Sequence, residues 1–263
     1  MCYDVTSGLK ALIKYAKHRR DDPNYIAALE KKLETWIKDL PQHHYVSGFA
    51  HPKLMVFTNE KPDDPQAFYW GLIPHWVKDV ATAKTLSNQT LNAKCETIFD
   101  KPSFCLPAKK KRCLVYIDGF FEHHHAGKKT IPFHIRSKED EPLALAGLWD
   151  EWVNKETGEI LRTVSIVTTK ANEVMKKIHN NPKLEEARMP VILNKEEQDQ
   201  WLMDCSNEKD ELQLLALCKP FDPSKLEYYT VPRLKGKEAV GDTEEALRKV
   251  KYPELDSSEM ALE

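Results

Sequence analysis

The amino-acid sequence predicts an α+β fold: a mixed, mostly antiparallel sheet with helices packed around it. Three observations predict it. From about residue 42 to Thr169 the chain breaks into short segments rich in β-branched and aromatic residues, separated by Asp, Pro and Gly turns. On either side of that stretch, apolar residues recur at helical spacing. No internal repeat and no strict strand–helix alternation is present, which argues against the doubly wound and barrel folds built from βαβ units.

The elements follow in order. Leu9, Leu12, Ile13 and Ala16 mark a first helix, and Ile26, Leu29, Leu33, Trp36 and Ile37 a second. Pro23 stands at the start of the second set and Pro41 closes it, so two helices are expected rather than one. Strands are expected over 53–58, 66–71, 113–117, 131–135, 143–148 and 161–168. A helix over 171–179, a short buried strand over 189–193, helices over 195–202 and 208–217, and a last strand over 228–231 complete the pattern. Residues 1–235 then make one domain, and 236–263 read as a charged tail without apolar periodicity that should fray.

With 263 residues, the chain is long enough to bury a sizeable core. Its 39 Lys and Arg against 41 Asp and Glu give a net charge of −2, which excludes a globally basic coat for nucleic acid but leaves room for a local groove. No apolar run nears the roughly 18 residues of a membrane span, and Met1-Cys2-Tyr3-Asp4 does not read as a secretory leader. Six cysteines without a CxxC pair read as reduced thiols in a cytoplasmic protein, not as a zinc ribbon or disulfide scaffold.

Cys2 has the most unusual placement. If Met1 is removed, the chain begins with an amine and a thiol on adjacent carbons, and both titrate near neutrality in model peptides (about 7.7–8.0 and about 8.5). An aldehyde meeting such a residue can form an imine and then close to a five-membered thiazolidine, a second step favoured by its high effective molarity. The bland reading is an incidental cysteine. Glu122 ends an apolar run, so it is either an edge-strand surface carboxylate or a buried acid–base group with a raised pKa. His179 is either a helix C-cap or a catalytic imidazole, and Asn92 either a turn residue or a site residue.

Together these segments resemble the SOS response-associated peptidase family. The residues that carry the resemblance are Met1-Cys2, 69–76 (YWGLIPHW), 91–97 (LNAKCET), 118–122 (DGFFE), 166–168 (IVT), and Ile178-His179 with 188–193 (RMPVIL). They occur in the family's order and span nearly the whole chain. The resemblance implies a barrel-like core and a protein that processes abasic sites in single-stranded DNA. It implies that Cys2 becomes covalently tied to the ring-opened sugar as a thiazolidine. Glu122 would shuttle protons, His179 would assist ring opening, and Asn92 would hold the Cys2 terminus or the sugar oxygen. Loss of Met1 would account for the peptidase label.

Expected DNA contacts are Trp76, as a stacking or wedge surface, with Lys94, Lys110, Arg112, Thr168 and Arg188; Trp70 alternates with Phe68 and is expected in the core. No cofactor, metal or membrane partner is expected, and the protein is read as a monomer. His123-His124-His125 does not make a metal site, because neighbours on a strand point to opposite faces. The chain departs from the family in several places. Family members commonly begin Met-Cys-Gly-Arg, with the arginine near DNA, where this chain has Tyr3 and Asp4. Residues 47–52 (SGFAHP) replace a Tyr-Asn-Val-Ala-Pro segment, His123 replaces an aromatic, and 180–187 are inserted beside His179. Two other readings remain: a thiol peptidase or amidohydrolase with Cys2 as nucleophile, and a non-catalytic single-strand binding module.

Overall fold

In the middle of the chain, runs such as Leu54-Met55-Val56-Phe57 are apolar at every position rather than at alternate ones. A strand of that kind must be covered on both faces. The structure, a computed structural model, describes residues 2–8, 14, 22–36 and 42–256. In it the run forms β3 (Lys53–Thr58), joined to β4 (Lys61–Trp70) and β6 (Arg112–Ile117) as antiparallel neighbours. β6 pairs with β9 (Leu143–Val153), and β9 with β10 (Ile160–Lys170). β10 returns to β4 in the parallel sense, Thr163 opposite Tyr69 and Val164 opposite Trp70. The ring closes, so the core is a five-stranded mixed barrel with one parallel seam, and closure removes its edges.

Two short strands extend β10: β5 (Asn92–Lys94), parallel to it, and β11 (Arg188–Pro190), antiparallel. A second, wholly antiparallel sheet has the order β12 (Leu226–Thr230), β8 (Lys129–Ser137), β7 (Gly119–Ala126), β1 (Asp4–Ser7), β2 (His43–Ser47). Successive residues of the barrel strands feed two cores. Leu54, Val56, Val115 and Leu145 join Val5, Phe120 and Ile135 of the second sheet. Met55, Phe57, Leu114 and Tyr116 join Trp201, Leu214 and Leu217 of the covering helices.

The helices are α1 (Pro23–Trp36), α2 (Val80–Gln89), α3 (Cys105–Lys110), α4 (Glu173–Ile178), α5 (Lys195–Leu202), α6 (Glu208–Leu217) and α7 (Pro253–Asp256). Capping boxes start α5 at Asn194 with Glu197 and α6 at Asn207 with Asp210, so the first-turn N–H groups are satisfied by side chains. No helix among the described residues is long and apolar enough to cross a membrane.

The α+β class and the barrel-like core agree with expectation, and the bounds of β3, α5 and α6 match those read from the sequence. The second helix of the N-terminal pair is present as α1, whereas Leu9, Leu12, Ile13 and Ala16 lie outside the described residues. Within the stretch read as a tail, residues 236–256 make defined contacts. Val250 N–H donates to Thr230 O at 3.0 Å, Ala246 is buried, and the Asp242 carboxylate accepts from the His44 and Tyr45 amides of β2 at 2.6 and 3.0 Å. Charged residues here dock by specific polar contacts, which a search for apolar periodicity does not detect.

Candidate active site

Cys2 lies two residues before the first residue of β1, an inner strand paired on both sides, with Asp4 opposite Phe121 of β7 and Ser47 of β2. One register step further, Tyr3 comes level with Glu122. The start of the chain is thereby fixed in the second sheet, and Cys2 is fully buried in its core. Burial pushes the Cys2 thiol well above its ordinary range, and the neighbouring Glu122 adds to the effect. This thiol is held in its protonated form.

Asn92 opens β5, whose parallel pairing with β10 (Asn92 opposite Ile166) runs it up to the chain start. Its Nδ2 donates to the Cys2 carbonyl at 2.8 Å. Its Oδ1 is buried and accepts no hydrogen bond among the described residues, so one acceptor beside Cys2 stands ready for a donor.

Glu122 lies on β7 opposite Phe133 and is only 5% exposed. Burial raises its carboxyl to about 8, with the Asp4 carboxylate acting in the same direction. His179 is the residue on which α4 ends, its N–H donating to Met175 O at 2.7 Å. Burial lowers its imidazole to about 4. Its Nδ1 stands 3.2 Å from the Arg188 carbonyl and 3.4 Å from Glu122 Oε2. A carbonyl only accepts, so Nδ1 carries the proton and Nε2 is the basic nitrogen of the ring. At neutral pH the Glu122–His179 contact therefore joins a carboxylic acid to a neutral imidazole and is not an ion pair. A cavity of about 180 Å³ opens beside them, lined by Tyr3, Asp4, Glu122, His123, His179 and Lys235 among others. It is smaller than the roughly 300–1,000 Å³ of ordinary ligand pockets and suits a fragment the size of a pentose.

The structure thus brings Cys2, Asn92, Glu122 and His179 together from four separate elements. It separates the residues expected at DNA. Trp76 is 45% exposed, with its indole N–H 3.4 Å from Pro102 O. Lys94 and Lys110 are exposed, and no ion pair involves them among the described residues. Lys110, however, ends α3, just before β6 and a strand's length from β7. Trp70 is fully buried, as expected, and its indole donates to Leu91 O at 2.8 Å.

Three expected DNA contacts are placed elsewhere. Arg112 is wholly buried and its guanidinium donates to the carbonyls of Ala108, Lys109, Trp201 and Met203, clamping α3 and α5 to the barrel. Thr168 is buried, its hydroxyl 3.3 Å from Ala93 O. Arg188 is buried and grips both Glu96 carboxylate oxygens, at 3.1 and 2.8 Å. That pair ties β11 to the turn after β5, so Arg188 steadies Asn92 through β5 and His179 through its carbonyl. The insertion is also held: Asn180 Oδ1 accepts from His125 N–H at 2.6 Å and its Nδ2 donates to His125 O at 3.1 Å.

Asp4 and Lys235 are the site residues that sequence reasoning missed as a pair. Lys235 Nζ stands 2.6 Å from Asp4 Oδ2, and the Tyr45 hydroxyl donates to Asp4 Oδ1 at 3.3 Å. A separation of 231 residues leaves no local signal for such a contact.

A family model described as SOS response associated peptidase matches residues 9–237 of the chain. Abasic site processing protein YoqW of Bacillus subtilis (strain 168) is 40% identical over 166 residues, 63% of this chain and 68% of the relative. Abasic site processing protein YMR114C of Saccharomyces cerevisiae is 33% identical over 169 residues, 63% of this chain and 42% of the relative. Abasic site processing protein HMCES of Gallus gallus is 33% identical over 153 residues, 51% of this chain and 43% of the relative. Among solved structures, a protein from Bacteroides thetaiotaomicron superposes with a TM-score of 0.79 at 32% identity, covering 95% of this chain and all of that one. A Bordetella bronchiseptica protein shares the fold, with a TM-score of 0.69 at 20% identity.

Proposed function

The chain belongs to the SOS response associated peptidase family, and on that footing we propose that it processes abasic sites in single-stranded DNA by condensing Cys2 with the sugar aldehyde. The observation that carries the reading is a carboxyl held protonated near neutrality, Glu122, close enough to Cys2 to influence its thiol.

Removal of Met1 by hydrolysis of one peptide bond frees the Cys2 α-amine. The amine attacks the carbonyl carbon of the ring-opened deoxyribose, giving a carbinolamine. Glu122, as the acid, protonates the departing hydroxyl; water leaves and an iminium remains. The Cys2 sulfur then adds to the iminium carbon, and its proton passes to the Glu122 carboxylate. One C–N and one C–S bond form and one water is released, so Glu122 ends as it began. His179 Nε2 takes the anomeric hydroxyl proton as the ring C–O bond breaks and passes it to the departing ring oxygen, which becomes a hydroxyl, so the imidazole ends neutral. Asn92 fixes the Cys2 carbonyl, and its Oδ1 accepts from the new terminal nitrogen.

A thiol hydrolase needs a thiolate, whereas the buried Cys2 thiol is held protonated. Thiazolidine closure tolerates this, because the proton leaves during ring closure. The chemistry needs a free thiol, in keeping with a reducing cytoplasm. The exposed cation Lys94 and the indole of Trp76 serve the strand.

The test is a denaturing gel of the protein with a single strand carrying one abasic site, beside a strand without one, with no reductant. A heat-stable band that requires the abasic site and disappears in Cys2→Ala is expected. Its absence, with Met1 shown by mass to be gone, overturns the reading.

A further inference from the structure

A buried carboxylate without a cation is costly, and a lysine beside it is the usual remedy. Asp4 is such a carboxylate: its side chain is 4% exposed and Lys235 Nζ lies 2.6 Å away. The lysine, however, is not buried with it. Its side chain is 54% exposed and lines the cavity that Glu122 and His179 share. An ammonium has three donors, and one of them satisfies Asp4. No other hydrogen bond of the ammonium is found among the described residues, and Lys235 lines the cavity.

The cation does not hang from a loose tail. Leu234, its neighbour, is buried with Phe121, Val231 and Ala246. Val231 N–H donates to Pro132 O at 3.0 Å and Val240 N–H to Arg233 O at 3.1 Å. The Lys235 charge is felt inside the site: after burial it is the next influence that lowers His123. Asp4 alone would repel a phosphate; with Lys235 over it, the outermost charge at the rim is positive.

We propose that Lys235 is the phosphate anchor of this site, with Asp4 as the buried positioning residue that holds its ammonium at the cavity rim. There it grips a phosphodiester next to the abasic sugar. The proposal rests on the single-stranded DNA reading above and names the group that would place the backbone over the cavity.

The experiment measures binding of the full chain to a single strand without an abasic site, across a salt series, so no crosslink is required. Releasing one counterion fewer should make the slope of log K against log salt shallower by about 0.7 and weaken binding about fivefold at 0.1 M salt. Lys235→Met should show both changes. Lys235→Arg, which keeps the cation, should retain the wild-type slope. Asp4→Asn keeps the lysine but no longer holds its ammonium at the rim, so it should lose part of the same slope and affinity. A purely structural ion pair predicts instead that Lys235→Met and Asp4→Asn lower the melting temperature together and leave the slope alone. An unchanged slope in a folded Lys235→Met protein, with wild type still crosslinking abasic DNA, overturns the anchor and spares the proposed function. Failure of wild type to bind the strand overturns both.

Discussion

Glu122→Gln keeps the volume and a hydrogen-bonding head group but can neither give nor take a proton. Burial holds the Glu122 carboxyl at about 8, so about nine molecules in ten carry the acid form at pH 7 and about one in ten at pH 9. The α-amine of a freed Cys2 must lose its proton to attack, and in model peptides it does so near 7.7–8.0, in the opposite sense. The wild-type rate should therefore rise to about pH 8 and fall above it. Losing a positioned acid–base group costs about 10²–10⁴-fold. The assay is single-turnover crosslinking with protein in excess over an abasic single strand, from pH 6 to 10. Glu122→Gln should be at least about 100-fold slower and keep only the rising limb. A variant within about threefold of wild type, or one that retains the falling limb, refutes Glu122 as the acid. The same carboxyl makes a stability prediction. Raised from 4.5 to about 8 in the folded state, it contributes stability that is fully present below 4.5 and lost as pH rises through about 8. At roughly 1.4 kcal/mol per pH unit the loss is on the order of 5 kcal/mol. Urea unfolding of both proteins across that window should show the difference in stability between wild type and Glu122→Gln change by that amount, the histidine contributions being common to both.

Asn92→Ala removes the donor to the Cys2 carbonyl and should slow crosslinking about tenfold, the worth of about 1.4 kcal/mol, in the same single-turnover assay. Arg112→Ala leaves four backbone carbonyls without their donor. It should lower unfolding free energy by about 3–5 kcal/mol in urea while the folded variant binds single strands as wild type does. Lys94→Ala should do the reverse, weakening binding in a salt-dependent way with little effect on the melt. Burial depresses His134 to about 3 and His123 and His179 to about 4. Their contribution is therefore fully present above about 6.5 and lost as pH falls through about 4. Melting curves from pH 7 down to 4 should drop, and His134→Gln should flatten part of the drop.

How legible each element was depended on how its residues are buried. β3, α5 and α6 carry their pattern within a few residues: a continuous apolar run in one, cap residues followed by helix formers in the others. β1 and β2 do not. Asp4-Val5-Thr6-Ser7 and His43-His44-Tyr45-Val46-Ser47 are short and polar, and they become strands because neighbouring strands offer backbone partners. α2 went unread for a related reason, since only Ala83 and Ser87 of its ten residues are buried and no apolar stripe forms. Among site residues, Cys2, Asn92, Glu122 and His179 were nameable because motif order and residue chemistry pointed to them. Arg112, Thr168 and Arg188, expected at DNA, are buried and bonded within the fold, because a sequence records that a residue is cationic or polar but not which carbonyls or carboxylates surround it.

The sequence by itself determined the class of fold, the bounds of its most regular elements and the inventory of groups able to do chemistry: a thiol at position 2, a carboxyl closing an apolar run, an imidazole at a helix end. These are local properties, set by periodicity and by the intrinsic reactivity of side chains. Tertiary structure alone decided their states. Closure of the barrel and insertion of β1 between β2 and β7 bury Glu122 and His179 against each other. Removing water from around a charge is what holds that carboxyl protonated and that imidazole neutral. The same long-range folding set Lys235 on Asp4 across 231 residues, because a buried carboxylate needs a cation and only the folded chain brings one there.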